Sequence, residues 1–592
     1  MKKITRKLIP LAASIAMLAS CGGGNGVDDT KTNISIWSFN GGVGNKWLES
    51  AMRAFEEAHA NDSYEEGKTG VALAWTGNTD SGGALSTMKT SSYALYFTEK
   101  GDTPYTLANK DLVYDITSLV KEKADESEDK TIEEKIDEDY RTVLQGEDGK
   151  YYALPHYEWY PGITYDVSAF DRLNCYFAAD DEEDAVTYVS EVQNGSKVYK
   201  FGTGKFIGSS SAKKSCGNDG LYGTEDDGLP SSVEEFLILC SYLKQNGLAP
   251  LAVVGNHRDY SAYLLQGFLT SLLGREGIQN FYDFDGTINV LDIDSSGDIE
   301  MSGEELFCAG SGIPAPKYTS KTVTEATGYL TRETYERYYL ASLMKIFIDC
   351  GFFSDKSINS TVDNKQTQYG FINNVSGFAS AMLIEGNYWF NEANEEGYFE
   401  AYKKRNREDR NIGWMSLPSK LSGSVKEDTT GEGYQTPLLD TGYSYCVVNK
   451  GAMERGSEGY RKAVLDFVKF LYTEAQLQSF TKITGTAKAA IEYDFSSSSV
   501  TAGLSSFQKQ VLALKKNNGV VYTTAASKTF RRHQADFQFG IRAPIWQTTI
   551  NKTTYNDYIT AFTDRDQSNS PESVVKGSFI SKDTWESVYY VQ

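Results

Sequence analysis

From Asn33 the chain alternates short apolar runs with amphipathic stretches, and this order constrains the fold more than any other feature. Asn33-Ile34-Ser35-Ile36-Trp37-Ser38-Phe39 reads as a strand ending in polar and glycine residues. A helix follows from about Lys46 to His59, because Trp47, Met52 and Phe55 recur on one face. Val71–Trp75, Tyr93–Phe97 and Leu112–Ile116 read as further strands. Strands separated by helices pair in parallel, since a parallel connection needs a crossover long enough to hold a helix. The expected class is therefore α/β, with mainly parallel sheets flanked by helices. In such sheets ligands sit beyond the carboxyl ends of the strands. That places residues 37–44, 75–80 and 98–102 on one rim.

Ahead of this section, Lys2, Lys3, Arg6 and Lys7 precede an apolar run from Leu8 to Leu18, and no acid occurs in the first twenty residues. A basic head, a short apolar middle and small residues before a cut make a signal peptide over residues 1–20. The run is too short to span about 30 Å of hydrocarbon. Leu18-Ala19-Ser20-Cys21 resembles the lipobox of bacterial lipoproteins, in which the cysteine is diacylated and becomes the mature N-terminus. Gly22 to Gly26 then reads as a flexible tether. Such a lipid holds a protein at a membrane surface without a spanning helix. The expected location is extracytoplasmic, lipid-anchored at Cys21, with no other contact with the membrane.

The formal net charge is −22. A strongly acidic surface argues against nucleic acid or an anionic polymer as ligand and favours a neutral or cationic one. Beyond Cys21, Cys175, Cys216, Cys240, Cys308, Cys350 and Cys446 lie far apart, with no Cys-x-x-Cys pair to suggest zinc. An exported chain can hold a disulfide, with Cys175–Cys216 the favoured pair, or keep buried free thiols.

Further along, Gly149-Lys150-Tyr151-Tyr152-Ala153-Leu154-Pro155 leads into Ile163-Thr164-Tyr165-Asp166. Pro230-Ser231-Ser232-Val233-Glu234-Glu235-Phe236 opens a helix with a serine cap and early acids. Ala381-Met382-Leu383-Ile384-Glu385-Gly386-Asn387-Tyr388-Trp389 follows, then an amphipathic helix around Arg461–Tyr472 and Thr484-Gly485. In this order the segments resemble the extracellular solute-binding proteins of carbohydrate ABC importers, the family 1 group related to maltose-binding protein. Two places depart from the family pattern. The Pro-Asp pair before the third strand is replaced by Ser91-Ser92, and Thr486-Ala487 replaces the proline after Thr484-Gly485.

The resemblance implies a two-lobed periplasmic-binding-protein-like fold (type II), each lobe a mainly parallel sheet flanked by helices, with a hinge between them. It divides the chain into a tether at 21–32, lobe 1 at 33–158, and lobe 2 at 159–413 with insertions near 175–230 and 275–320. The return to lobe 1 is expected at 414–490, and a C-terminal helical region, mostly on lobe 2, at 491–592. It implies a monomer that delivers an oligosaccharide to ABC permease subunits by lobe closure. The alternatives are the same fold binding a peptide or polyol, or feeding a sensor kinase. No cofactor is required.

Sugars offer C–H faces and hydroxyl edges, so a site needs aromatic rings together with Asp, Glu, Asn or Arg. Most of the 39 tyrosines and 8 tryptophans of a chain this size pack in cores. Trp37, Trp159, Tyr388 and Trp389 stand out because each lies at a strand end or crossover, where loops carry function. By resemblance, Asn40, Glu99, Glu158, Tyr260 and Tyr443 join them as ligand-binding residues. Two acidic, glycine-rich turns read either as solvated loops or as structural calcium sites: Asp219, Asp226 and Asp227 in one, Asp292, Asp294 and Asp298 in the other. The second resembles an EF-hand opening but carries Gly303 at the twelfth place. An enzyme is disfavoured, since there is no Gly-x-Ser-x-Gly, His-Glu-x-x-His or phosphate-binding loop. His59, His156, His257 and His533 are scattered. Paired carboxylates for glycoside hydrolysis discriminate nothing among 80 acids.

Overall fold

The computed structural model describes residues 28–99, 102–308, 310–441, 444–522, 527–533 and 546–590. Two sheets organise them. The first takes the order Val71–Thr76, Thr32–Ser38, Leu95–Glu99, Ser444–Val448, Ala153–Pro155. Its first three strands pair in parallel, whereas Ser444–Val448 runs against both neighbours. The second takes the order Ile412–Met415, Pro161–Asp166, Ser380–Gly386, Ala249–Ala252. Here Pro161–Asp166 runs against both neighbours, and the last two strands are parallel. Each sheet thus holds one reversed strand, the one by which the chain leaves the junction between the lobes. The other strands approach that junction, so the loops after their carboxyl ends meet there.

Local pattern explains the flanking helices. Lys46–Ala58 buries Trp47, Leu48, Ala51, Met52 and Phe55, and Phe55 meets Phe467 of the Glu458–Leu471 helix at 5.1 Å. On the second sheet, Ser261–Asp283 buries most of its first eleven residues and kinks at Gly274, whose φ of 67° suits glycine. Ser506–Asn518 covers the edge strand: Phe507 lies 6.0 Å from Trp414, and the Trp414 N–H donates to Gln510 Oε1 at 2.9 Å. The segment near 175–230, expected as an insertion, is built on a hairpin, Ala185–Asn194 with Lys197–Ile207. That near 275–320 holds two short antiparallel pairs.

One expected boundary moves. Trp414 and Met415 complete the second sheet, and the chain enters the first sheet only at Ser444. The apolar run at 414–417 looked the same in sequence whichever sheet it joined. The cysteine alternatives also resolve: Cys175, Cys216, Cys240, Cys308, Cys350 and Cys446 are buried free thiols.

The first lobe encloses a lysine. Lys488 Nζ lies 3.0 Å from His156 Nδ1, 4.4 Å from the Phe480 ring centre and 4.6 Å from that of Trp47. Burial pushes its pKa down to about 7 and drives that of His156 well below the ordinary value. An unfolded lysine titrates near 10.4. Below about pH 7 the full cost of burying the charge is present. Between about 7 and 10.4 the unfolded chain binds the extra proton, so this group's contribution to stability rises with pH. Lys488→Met is expected to melt above wild type at pH 6, with the gap narrowing towards pH 10. Thermal melts across that range check it, and a variant melting lower at pH 6 contradicts it.

Candidate functional site

The crossover from His156 to Tyr160 sets the geometry. An extended segment sends successive side chains to opposite sides, so Tyr157 and Trp159 face one way and Glu158 and Tyr160 the other. On the first side the Tyr157 hydroxyl donates to Glu99 Oε2, at the carboxyl end of a first-lobe strand. Trp159 stands edge-on to Tyr388 at 5.1 Å and to Tyr263 at 5.8 Å. Tyr260 packs on Tyr263 at 5.1 Å, and the Tyr263 and Tyr388 hydroxyls lie 3.3 Å apart. Glu385, fully buried, accepts from Gln368 Nε2 at 2.8 Å. Burial drives the Tyr157, Tyr263 and Tyr388 hydroxyls far above their ordinary pKa, with Glu99 adding to the effect at Tyr157. They keep their protons and serve as donors.

Two glycines make the approach possible. A Cβ on Gly386 would stand 2.6 Å from Trp159 Nε1 and 2.4 Å from Tyr388 Cε1. Gly42, at a φ of 57°, lets the loop after the first strand lie against Tyr157 and Glu99. The Gly42 N–H then donates to Glu392 Oε1 of the second-lobe helix Trp389–Glu395 at 2.8 Å. Lys46 pairs with Glu395 at 3.4 Å, and Asn391 Nδ2 donates to Thr484 O at 2.7 Å. These contacts join the two lobes across the junction.

On the other side Glu158 is completely buried. Its Oε1 pairs with Lys515 Nζ at 2.5 Å and accepts from Tyr522 at 2.8 Å and the Ala490 N–H at 3.3 Å; Oε2 accepts from Tyr160. Asp440 Oδ1 accepts from the Trp159 N–H at 3.0 Å, and Leu438–Asp440 pairs in parallel with Val520–Tyr522. Chain segments on both sides of the junction are tied together here.

The structure therefore brings together Glu99, Trp159, Tyr260 and Tyr388 of the expected residues. Glu158 is corrected: its oxygens are taken by the hinge. Trp389 is corrected too. It lies in the core of the second lobe, its indole N–H donating to Thr164 Oγ1 at 2.9 Å. Trp37 packs on Tyr96 at 6.0 Å within the first sheet. Asn40 is exposed on the rim, bonded to Asn45 at 3.3 Å. Tyr443 and Cys21 lie outside the described residues. Tyr157, Tyr263, Glu385 and Glu392 join the site unforeseen. Tyr157 was readable from its spacing of two from Trp159, and Tyr263 from its place in the first turn after a strand.

The acidic turns cap themselves. Asp226 accepts from the Asn218 and Asp219 N–H groups at 2.6 and 3.1 Å, and Asp227 from that of Gly223 at 2.7 Å. Burial, with Asp219 beside it, raises Asp226 to about 7. Asp294 accepts from Ser296 and Asp298 at 2.7 and 3.0 Å, Asp292 from Thr319 at 2.8 Å, and Asp298 pairs with Lys576 at 2.6 Å. Among the described residues no three His, Cys, Asp or Glu side chains are grouped to hold a metal ion.

No family model matches the chain, and no curated protein does. Among solved structures, maltose-bound MalE3 of T. maritima is similar with a TM-score of 0.50 and 10% identity, covering 94% of this chain and 99% of that one. The chain has the two-lobed MalE-like fold. A chitin oligosaccharide binding protein (TM-score 0.48, 13% identity, 94% and 98% covered) and the GacH receptor of Streptomyces glaucescens GLA.O (0.48, 12%, 94% and 98%) are also similar. Among the described residues no helix is long and apolar enough to cross a membrane.

Within this fold the Glu158–Lys515 pair bridges the lobes. Removing one partner of a buried pair costs about 3–5 kcal/mol, because the other charge is left uncompensated. Glu158→Ala is expected to lose that much in chemical denaturation, and Lys515→Met in the same chain to restore part of it. A loss below about 1 kcal/mol, the scale of an exposed pair, contradicts the assignment.

Proposed function

We propose that the chain is the extracytoplasmic receptor of a bacterial carbohydrate ABC importer, anchored by lipid at Cys21. It captures an oligosaccharide between its lobes and presents the closed form to permease subunits. The observation that carries this reading is the Trp159–Tyr263–Tyr388 cluster, flanked by Glu99 from one lobe and Glu385 from the other. Rings take the C–H faces of a sugar, while carboxylates and protonated phenols take its hydroxyls. The maltose in MalE3 supports beginning with neutral oligosaccharides. Binding, rather than catalysis, fits tyrosines held protonated. A ligand touching both lobes stabilises closure by its differential contacts with the two states.

Maltotriose, raffinose and chitotriose form the first screen, read by titration calorimetry. Truncating a buried anchor costs about 1–3 kcal/mol, or roughly five- to hundredfold in affinity. Trp159→Ala and Tyr388→Ala are expected to weaken binding by that factor. Trp389→Ala is expected instead to lose about 3–5 kcal/mol of stability, with the affinity of the folded protein unchanged. Unaltered affinity in both site variants would place the site elsewhere.

A further inference from the structure

One side chain near this cluster is explained by neither the core nor the hinge. Gln266 is completely buried in the Ser261–Asp283 helix. Neither its Nε2 nor its Oε1 has a hydrogen-bond partner among the described residues. Such an amide forfeits its bonds to water at both ends and gains none in return, one of the costlier ways to fill an interior position.

Its location points to the ligand. Gln266 lies one turn beyond Tyr263, and helix residues three apart share a face. Tyr263 reaches Trp159 at 5.8 Å and the Tyr388 hydroxyl at 3.3 Å. Gly267, next on that face, lies against the residues that follow the crossover. A Cβ there would stand 3.6 Å from Pro161 O and 2.4 Å from the Leu417 side chain. The turn of helix that carries the amide is thus flanked by Tyr263 of the aromatic cluster and by Gly267 at the start of the second-lobe strand. It is also fixed in place, since the helix around it is packed on all sides: Ala262, Tyr263, Leu264, Leu265, Phe268 and Leu269 are buried as well.

Resting on the sugar reading above, we infer that Gln266 is a specificity-determining contact whose amide binds two adjacent hydroxyls of the sugar packed on Trp159. A primary amide sets a carbonyl acceptor beside an NH2 donor. A vicinal diol matches it, because one hydroxyl donates while its neighbour accepts. Glu99 and Glu385, when ionised, only accept. To these acceptors and the tyrosine donors Gln266 adds a donor fixed beside an acceptor in one plane, so the site distinguishes a diol from a single hydroxyl. A site built to hydrogen-bond a hydroxyl rejects ligands that lack it, because its own buried groups are then left unpaired.

The test compares wild type with Gln266→Met and Gln266→Leu, two near-isosteric apolar replacements. Melting temperature is measured without sugar, and affinity is measured for maltotriose, raffinose and chitotriose. The expected result is two-sided: both variants melt at or above wild type without sugar, and both lose tenfold or more in affinity for the probe that wild type binds. Variants that melt lower without sugar would show that the fold itself uses the amide, and would overturn the inference. So would unchanged affinity, and if Trp159→Ala loses binding in that case, the sugar reading survives alone. Wild type binding none of the three probes overturns both.

Discussion

Glu158 meets Lys515, Tyr522, Tyr160 and the Ala490 N–H at a place where separate passages of the chain between the lobes converge. A carboxylate with no exposure to water is tolerable only when its charge is paired and its lone pairs are filled. That requirement fixes the crossover relative to residues more than three hundred positions away. Once Glu158 points into the hinge, the period of two along an extended chain leaves Tyr157 and Trp159 facing the junction. The cluster that gathers around Trp159 therefore follows from where the hinge charge is held.

The contacts across the mouth are weaker. Lys46–Glu395 is solvent-exposed, with side chains 68% and 42% accessible, and such pairs are worth about 0–1 kcal/mol. The Gly42–Glu392 and Asn391–Thr484 hydrogen bonds each add on the order of 1 kcal/mol. Contacts of this size hold the lobes together lightly, and under the proposed function a ligand that touches both sides would dominate the balance between open and closed forms. The hinge is strongly determined and the mouth weakly so. At that mouth a Cβ on Gly44 would stand 2.9 Å from Glu395 Oε1, whereas Gly42 and Gly386 each make room for an aromatic ring or carboxylate of their own lobe.

The parts of this arrangement legible in sequence are those set by local pattern. The Ile34–Trp37 strand, the Trp47–Phe55 helix face and the capped helix at Ser232 all lie where the alternation placed them. Which neighbouring side chains share one side of the junction is not legible in local pattern. Glu158 and Trp159 are adjacent, and sequence alone cannot say which of two opposite directions is the cleft. Tyr388 and Trp389 sit together after Gly386, but a helix begins there and turns Trp389 into the second-lobe core. The second sheet claimed Trp414 by pairing with Pro161–Asp166, a contact spanning some 250 positions that no short-range periodicity encodes. The acidic turns near 219 and 294 are ambiguous in sequence because the carboxylates that cap a tight turn and those that hold a cation occur at the same spacings.

Two-sided capture is tested most directly by hydrogen exchange of the whole protein with and without a saturating oligosaccharide. Closure about a sugar predicts slowed exchange at once in the first-lobe loop 38–46, the crossover 157–160 and the second-lobe segment 386–392. Protection confined to one lobe, or absent from the Trp159 and Tyr388 peptides while the sugar is bound, would contradict it.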